Sequence, residues 1–124
     1  MNKALVVDDS RAVRMILSKT LRELGFEVLQ AANGVEALDV MARNGESVQL
    51  ALVDWNMPEM NGIELVRRLR AQSRYDRLRL MMVTTETEIE RITAALEAGA
   101  NEYIMKPFSR EVVEDKLRLL GVMT

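Results

Sequence analysis

With 124 residues, 48% apolar and 29% charged, the chain has the size and balance of one globular domain around one core, which excludes a disordered polypeptide and leaves no room for a second domain. Its net charge of −2 supplies no overall basic field for nucleic acid or a membrane surface. Cysteine and histidine are both absent, which excludes disulfides, thiol nucleophiles, the commonest zinc ligand and the commonest general base; chemistry is left to carboxylates, lysines and hydroxyls.

Ala4–Val7 is a first apolar run, and Val13, Ile16, Leu17, Leu21 and Leu24 follow it at helical spacing until Gly25 supplies a stop. A second strand, Phe26–Leu29, alternates through Glu27. Asn33-Gly34 and Asn61-Gly62 resemble hairpin turns, but helical pattern follows each, so both are predicted to begin helices. Leu50–Val53 forms a third strand, followed by a helix marked by Ile63, Val66 and Leu69. The arginines at 67, 68, 70, 74, 77 and 79 come with a single aromatic, Tyr75, and interleaved leucines, the pattern of a solvated helix face rather than a nucleic-acid surface. Leu78–Val83 is the fourth strand, Ile89, Ile92 and Leu96 mark a fourth helix before Gly99, and Glu102–Met105 is the fifth strand. Val112, Val113, Leu117 and Leu120 mark the last helix, and the nine methionines are expected to fill core and adaptable surface. Apolar runs such as Ala4–Val7 and Leu80–Val83 are too short to span a bilayer and no signal-peptide pattern is present, so a soluble cytoplasmic protein is expected.

Five strand and helix units in alternation predict an α/β fold: a doubly wound, five-stranded parallel sheet in a three-layer α/β/α sandwich, with residues 1–124 as one domain. Strands one, three and four are continuous apolar runs, as interior strands covered on both faces should be, whereas strands two and five are mixed, as edges are. Right-handed crossovers then give the order 2-1-3-4-5, and the reversal between strands one and three places a ligand crevice beyond their carboxyl ends.

The polar residues converge on that rim: Asp8 and Asp9 after strand one, Asp54 after strand three, Thr84 after strand four, Lys106 after strand five. Each has an ordinary structural explanation. Asp9 or Ser10 would cap the first helix, Thr84 would extend a β-branched run, and Lys106 would serve as an ion-pair partner. Three acids at one switch point demand more, because like charges about 4 Å apart repel by roughly 4 kcal/mol at an effective dielectric near 20. One lysine offsets part of this, and a hard divalent cation with oxygen ligands, such as Mg²⁺, suits the cluster better. With magnesium and Lys106 screening charge and the Thr84 hydroxyl as donor, Asp54 is equipped to accept a phosphoryl group.

Asp8-Asp9, Asp54-Trp55-Asn56-Met57-Pro58, Val83-Thr84 and Lys106-Pro107-Phe108 together resemble, in order and spacing over the whole chain, the receiver domains of two-component response regulators, and the stretch Glu102–Phe108 resembles the stand-alone chemotaxis (CheY-like) group. The resemblance implies a flavodoxin-like fold and phosphoryl transfer to Asp54 from a histidine kinase's phosphohistidine. It implies Mg²⁺ on Asp9, Asp54 and the Asn56 main-chain carbonyl, with Asp8 acting through the metal's water shell. Lys106 would pair with the phosphoryl oxygens, the Lys106-Pro107 bond would be cis, Thr84 would move toward the phosphoryl group, and Tyr103 would swing inward. That motion would reshape the face of helix four, strand five and helix five, where a downstream protein binds. Asn56 and Glu86 would govern the lifetime of the acyl phosphate.

A monomer without an output domain is expected, since Asn101-Glu102 replaces the paired acids of dimerising receivers and the chain ends four residues after Leu120. Motor-binding members carry lysines early in helix four where this chain has Glu88 and Ile89, although Lys116 fits that group. Two other classes compete: a Mg²⁺-dependent aspartyl-phosphate phosphatase, which needs a general-acid Asp where Asn56 stands, and a pseudo-receiver binding module, which needs no clustered acids.

Overall fold

A computed structural model describes residues 2–85 and 89–123. Its strands are β1 (Lys3–Val7), β2 (Glu27–Ala31), β3 (Val48–Asp54), β4 (Arg79–Thr84) and β5 (Glu102–Met105). The α-helices are α1 (Arg11–Glu23), α2 (Gly34–Asn44), α3 (Gly62–Arg70), α4 (Ile89–Ala98) and α5 (Arg110–Leu119). Short 3₁₀ turns at Gly45–Ser47 and Ser73–Tyr75 precede β3 and β4. The strands form one parallel sheet in the order β2-β1-β3-β4-β5, so the mixed strands are the edges, as their texture predicts.

Alternation along the interior strands divides the core between the two faces of the sheet. Leu5, Val7, Ala51, Val53, Leu80 and Met82 pack with Ala37, Met41, Leu65, Val66, Leu69 and Ala95, which places α2, α3 and α4 on one side. Ala4, Val6, Leu50, Leu52, Met81, Val83 and Ile104 pack with Leu17, Leu21, Val113 and Leu117, which places α1 and α5 on the other. Of the methionines, Met41, Met81 and Met82 are fully buried, while Met15 is exposed.

The helix starts are local chemistry. The side chains of Ser10, Asn33, Asn61 and Ser109 accept hydrogen bonds from the backbone N–H three residues on, capping α1, α2, α3 and α5. Both Asn-Gly pairs therefore begin helices. Gly62 has a second reason to be glycine: a Cβ there would lie 2.3 Å from the Asp54 carbonyl oxygen.

Several sequence expectations need correction. The second strand begins one residue late and extends to Ala31; Phe26 is instead a buried plug whose N–H bonds the Leu21 carbonyl at the end of α1. Ile16 is 57% exposed, and the inward positions of α1 are Leu17, Ser18 and Leu21. In α4 the expected stripe faces outward at Ile89 and Leu96, 78% and 41% exposed, while small Ala95 meets the core. Val112 is likewise exposed on α5. Tyr75 is buried, and Arg70 and Arg79 are not simply solvated, since their guanidinium groups bond main-chain carbonyls.

Candidate functional site

Register brings the chemistry together. Val7 is opposite Val53, Asp54 is opposite Val83, and Thr84 is opposite Met105, so Asp8, Asp54, Thr84 and Lys106 leave the sheet side by side at its carboxyl end. Asp8 is buried, Asp9 is exposed, and Asp54 is 7% exposed. One carboxylate oxygen from each of the three lies within 4.8 Å of the others.

The Lys106 ammonium donates to Asp8 Oδ2 and to Asp54 Oδ1, each at 3.1 Å. Burial pushes the Asp54 carboxyl above its ordinary value, the Asp8 charge pushes it further, Lys106 opposes both, and Asp9 adds a smaller upward push. Burial alone would lower the Lys106 pKa, but its hydrogen bonds and charge pairing with Asp8 and Asp54 outweigh burial and raise it. One cation thus serves two buried anions with a third beside them, and Asp54 remains strained toward its neutral form. Each unscreened carboxylate pair at this separation repels by roughly 3–4 kcal/mol at an effective dielectric near 20.

The supporting loops are held by specific contacts. The Asp8 N–H donates to the Ala31 carbonyl at 3.2 Å, its Oδ1 accepts from the Ser10 N–H at 2.8 Å, and its carbonyl accepts from Arg14 Nη1 at 2.6 Å. After Asp54 the chain turns with Trp55, Met57 and Met60 buried in the core, while Asn56, Pro58 and Glu59 face solvent. The Gly62 N–H closes that loop onto the Trp55 carbonyl at 2.9 Å. Thr84 is buried at the end of β4, and its carbonyl accepts from the Lys106 N–H at 2.8 Å. The Lys106-Pro107 bond is cis, as the resemblance implies.

Asp8, Asp9, Asp54 and Lys106 are thus one constellation, with Thr84 at the end of the neighbouring strand and Asn56 exposed two residues after Asp54. Tyr103 stands apart: it pairs with Met82, two positions short of the rim, with its half-buried ring packed on the core and Lys116 Nζ 5.0 Å from the ring centroid. Glu86, expected to affect acyl-phosphate lifetime, lies outside the described residues. Arg14 was not among the residues singled out from the sequence, although a signal existed: the first turn of α1 carries no acid and has arginines at 11 and 14, contrary to the preference of a helix N-terminus.

Residues 4–118 match the model of the response regulator receiver domain. The chain belongs to the response regulator receiver family. Among relatives of this receiver, a Campylobacter jejuni chemotaxis protein CheY homolog is 49% identical over 116 residues, covering 93% of this chain and 88% of that protein. The Helicobacter pylori chemotaxis protein CheY1 is 44% identical over 119 residues, 95% of each chain. Among solved structures, Vibrio cholerae chemotaxis protein CheY4 superposes with a TM-score of 0.90 at 38% identity, covering 97% of the receiver and 98% of that chain. No helix among the receiver's described residues is long and apolar enough to cross a membrane.

Proposed function

We propose that Asp54 is the phosphoryl acceptor of this receiver and that Asp8, Asp9, Asn56, Thr84 and Lys106 are its machinery. Receivers are phosphoacceptor switches in two-component signalling, with a histidine kinase as donor. The observation that carries the assignment is the under-compensated Asp54 carboxylate, held at the end of an interior strand within 4.8 Å of two more acids.

The donor set is all oxygen, without histidine or thiol, and two of its carboxylates are buried, which fits Mg²⁺. Asp9, Asp54 and the Asn56 carbonyl would hold the ion, with Asp8 acting through its water shell. When bound, Mg²⁺ neutralises charge on the acids and on the incoming phosphoryl oxygens. An Asp54 oxygen forms the new O–P bond as the P–N bond of the donor's phosphohistidine breaks and the imidazole leaves with the electron pair. Lys106 Nζ then pairs with the phosphoryl oxygens, the Thr84 hydroxyl donates to them, and Asn56 and Glu86 govern access of water and so the lifetime of the acyl phosphate.

Relocation of that charge biases Tyr103 and the face of α4, β5 and α5. The face suits a protein partner. Ile89 and Leu96 expose apolar surface on α4 and Val112 on α5, and a shallow groove of about 500 Å³ is lined by Tyr103, Phe108, Val112 and Lys116. Given its relatives' names, the receiver acts in chemotaxis-like signalling; we further propose that it does so in the cytoplasm as a monomer that binds a downstream protein and neither nucleic acid nor membrane.

Incubation with Mg²⁺ and acetyl phosphate, followed by intact-mass and peptide analysis, tests this. One stable phosphoryl group per chain, located on Asp54 and absent from Asp54→Asn, is the expected result. Rapid multiple turnover without accumulation would favour a phosphatase, and no labelling would favour a binding module.

A further inference from the structure

The three acids reach the rim by different routes. Asp54 is the last residue of a strand paired on both sides, and Asp8 is fixed through its N–H and its carboxylate. Asp9 is exposed, two residues beyond the sheet and one before the α1 cap. Where its carboxylate goes depends on the plane of the Asp8–Asp9 peptide. The carbonyl of that peptide is gripped by Arg14 Nη1 at 2.6 Å.

Arg14 lies in the fourth position of α1, where a cation opposes the helix dipole, and no acid forms an ion pair with it among the described residues. Its charge is therefore not explained by helix stability. A guanidinium is suited to the task it does perform, because its rigid planar donors fix the direction of a carbonyl as a flexible ammonium does not.

We propose that Arg14 is a positioning residue, which orients the Asp8–Asp9 peptide so that the Asp9 carboxylate joins Asp8 and Asp54 as a divalent-cation site. The inference rests on the magnesium reading of that cluster. Groups behind metal ligands commonly alter affinity by about 10–100-fold when removed. Arg14→Met is accordingly expected to raise the Mg²⁺ dissociation constant about tenfold, and Arg14→Lys, which keeps the charge but loses the fork, by about threefold.

The experiment is a Mg²⁺ titration followed by the fluorescence of Trp55, the one tryptophan, which directly follows Asp54. It is paired with melting in metal-free buffer and with labelling by acetyl phosphate over a range of Mg²⁺ concentrations. A positioning role predicts weaker Mg²⁺ binding, a labelling rate restored to within about twofold by saturating Mg²⁺, and a metal-free melting temperature close to that of the parent. A variant that melts lower but binds Mg²⁺ as the parent does would overturn the inference, as would a rate that saturating Mg²⁺ leaves depressed. If Arg14→Met does not fold, Arg14→Lys decides alone, and an unchanged Mg²⁺ constant there rejects the role. Failure of the parent protein to bind Mg²⁺ would reject the metal site itself and Arg14's part with it, a result distinct from parent binding that the variants leave unaltered.

Discussion

The two ends of the sheet each take charge out of water, in opposite ways. At the amino end, the Arg70 guanidinium donates to the carbonyls of Gly99, Tyr75 and Leu78 at 2.9, 2.8 and 2.6 Å and to Asn101 Oδ1 at 2.8 Å. Asn101 Oδ1 also accepts from the Leu80 N–H, so this knot joins α3, the start of β4 and the end of α4. Gly99, at φ +121, passes so close that a Cβ would sit 2.5 Å from Arg70 Cγ. At the carboxyl end, Asp8 and Asp54 share one lysine, with Asp9 beside them. A cation whose donors find neutral acceptors braces the frame; like charges left facing each other wait for a ligand.

Replacing Arg70 by Met should show the largest effect on stability. It strands several carbonyls that solvent reaches poorly, at a cost of about 3 kcal/mol, or a fall in melting temperature of roughly 10 °C. Labelling of Asp54 in the remaining folded protein should be unaltered, and a loss of labelling would show that the two ends are not separable.

Asp54→Asn should move stability the other way, by about 1 kcal/mol in metal-free buffer at neutral pH, because even with Lys106 bonded to it the folded state disfavours the ionised acid. The sign follows from linkage. With its folded pKa above its unfolded value, Asp54 costs nothing at pH well below its ordinary 3.8, where both states are protonated, and the cost grows as pH rises through the interval up to the folded pKa. The advantage of Asn should therefore be full at neutral pH and shrink on acidification. Chemical denaturation at several pH values checks this, and a less stable Asn variant at neutral pH would end the contrast between the two ends.

The smallest effect sharpens the comparison with a neutral case. Ser18 Oγ is buried in α1 without a hydrogen-bond partner among the described residues, so Ser18→Ala should gain about 0.5–1 kcal/mol, visible as a small rise in denaturation midpoint.

The carboxyl rim was legible in the sequence because strand ends are where apolar runs stop, so Asp8, Asp54, Thr84 and Lys106 could be located by counting. Strand order was legible for a related reason, since burial on both faces leaves its mark on composition. The amino end was not legible. Arg70 resembles one more solvated arginine because three of its four partners are main-chain carbonyls, which every residue carries. The side of α4 facing inward was also hidden: Ile89, Ile92 and Leu96 show a stripe, but which stripe the domain covers depends on neighbours, and here the domain covers Ala95. Arg14 also bonds a main-chain carbonyl, that of Asp8, so its unfavourable place in the first turn of α1 is the mark it leaves in the sequence.

Lys106 meets Asp8 across 98 residues of chain and Asp54 across 52. Lys106 follows β5, so a polypeptide still emerging from the ribosome lacks the assembled cluster until its fifth strand has docked beside β4. With Asp54 and Lys106 in the roles proposed for them, phosphoryl uptake would report finished folding, and an immature copy would draw no signal from the donor.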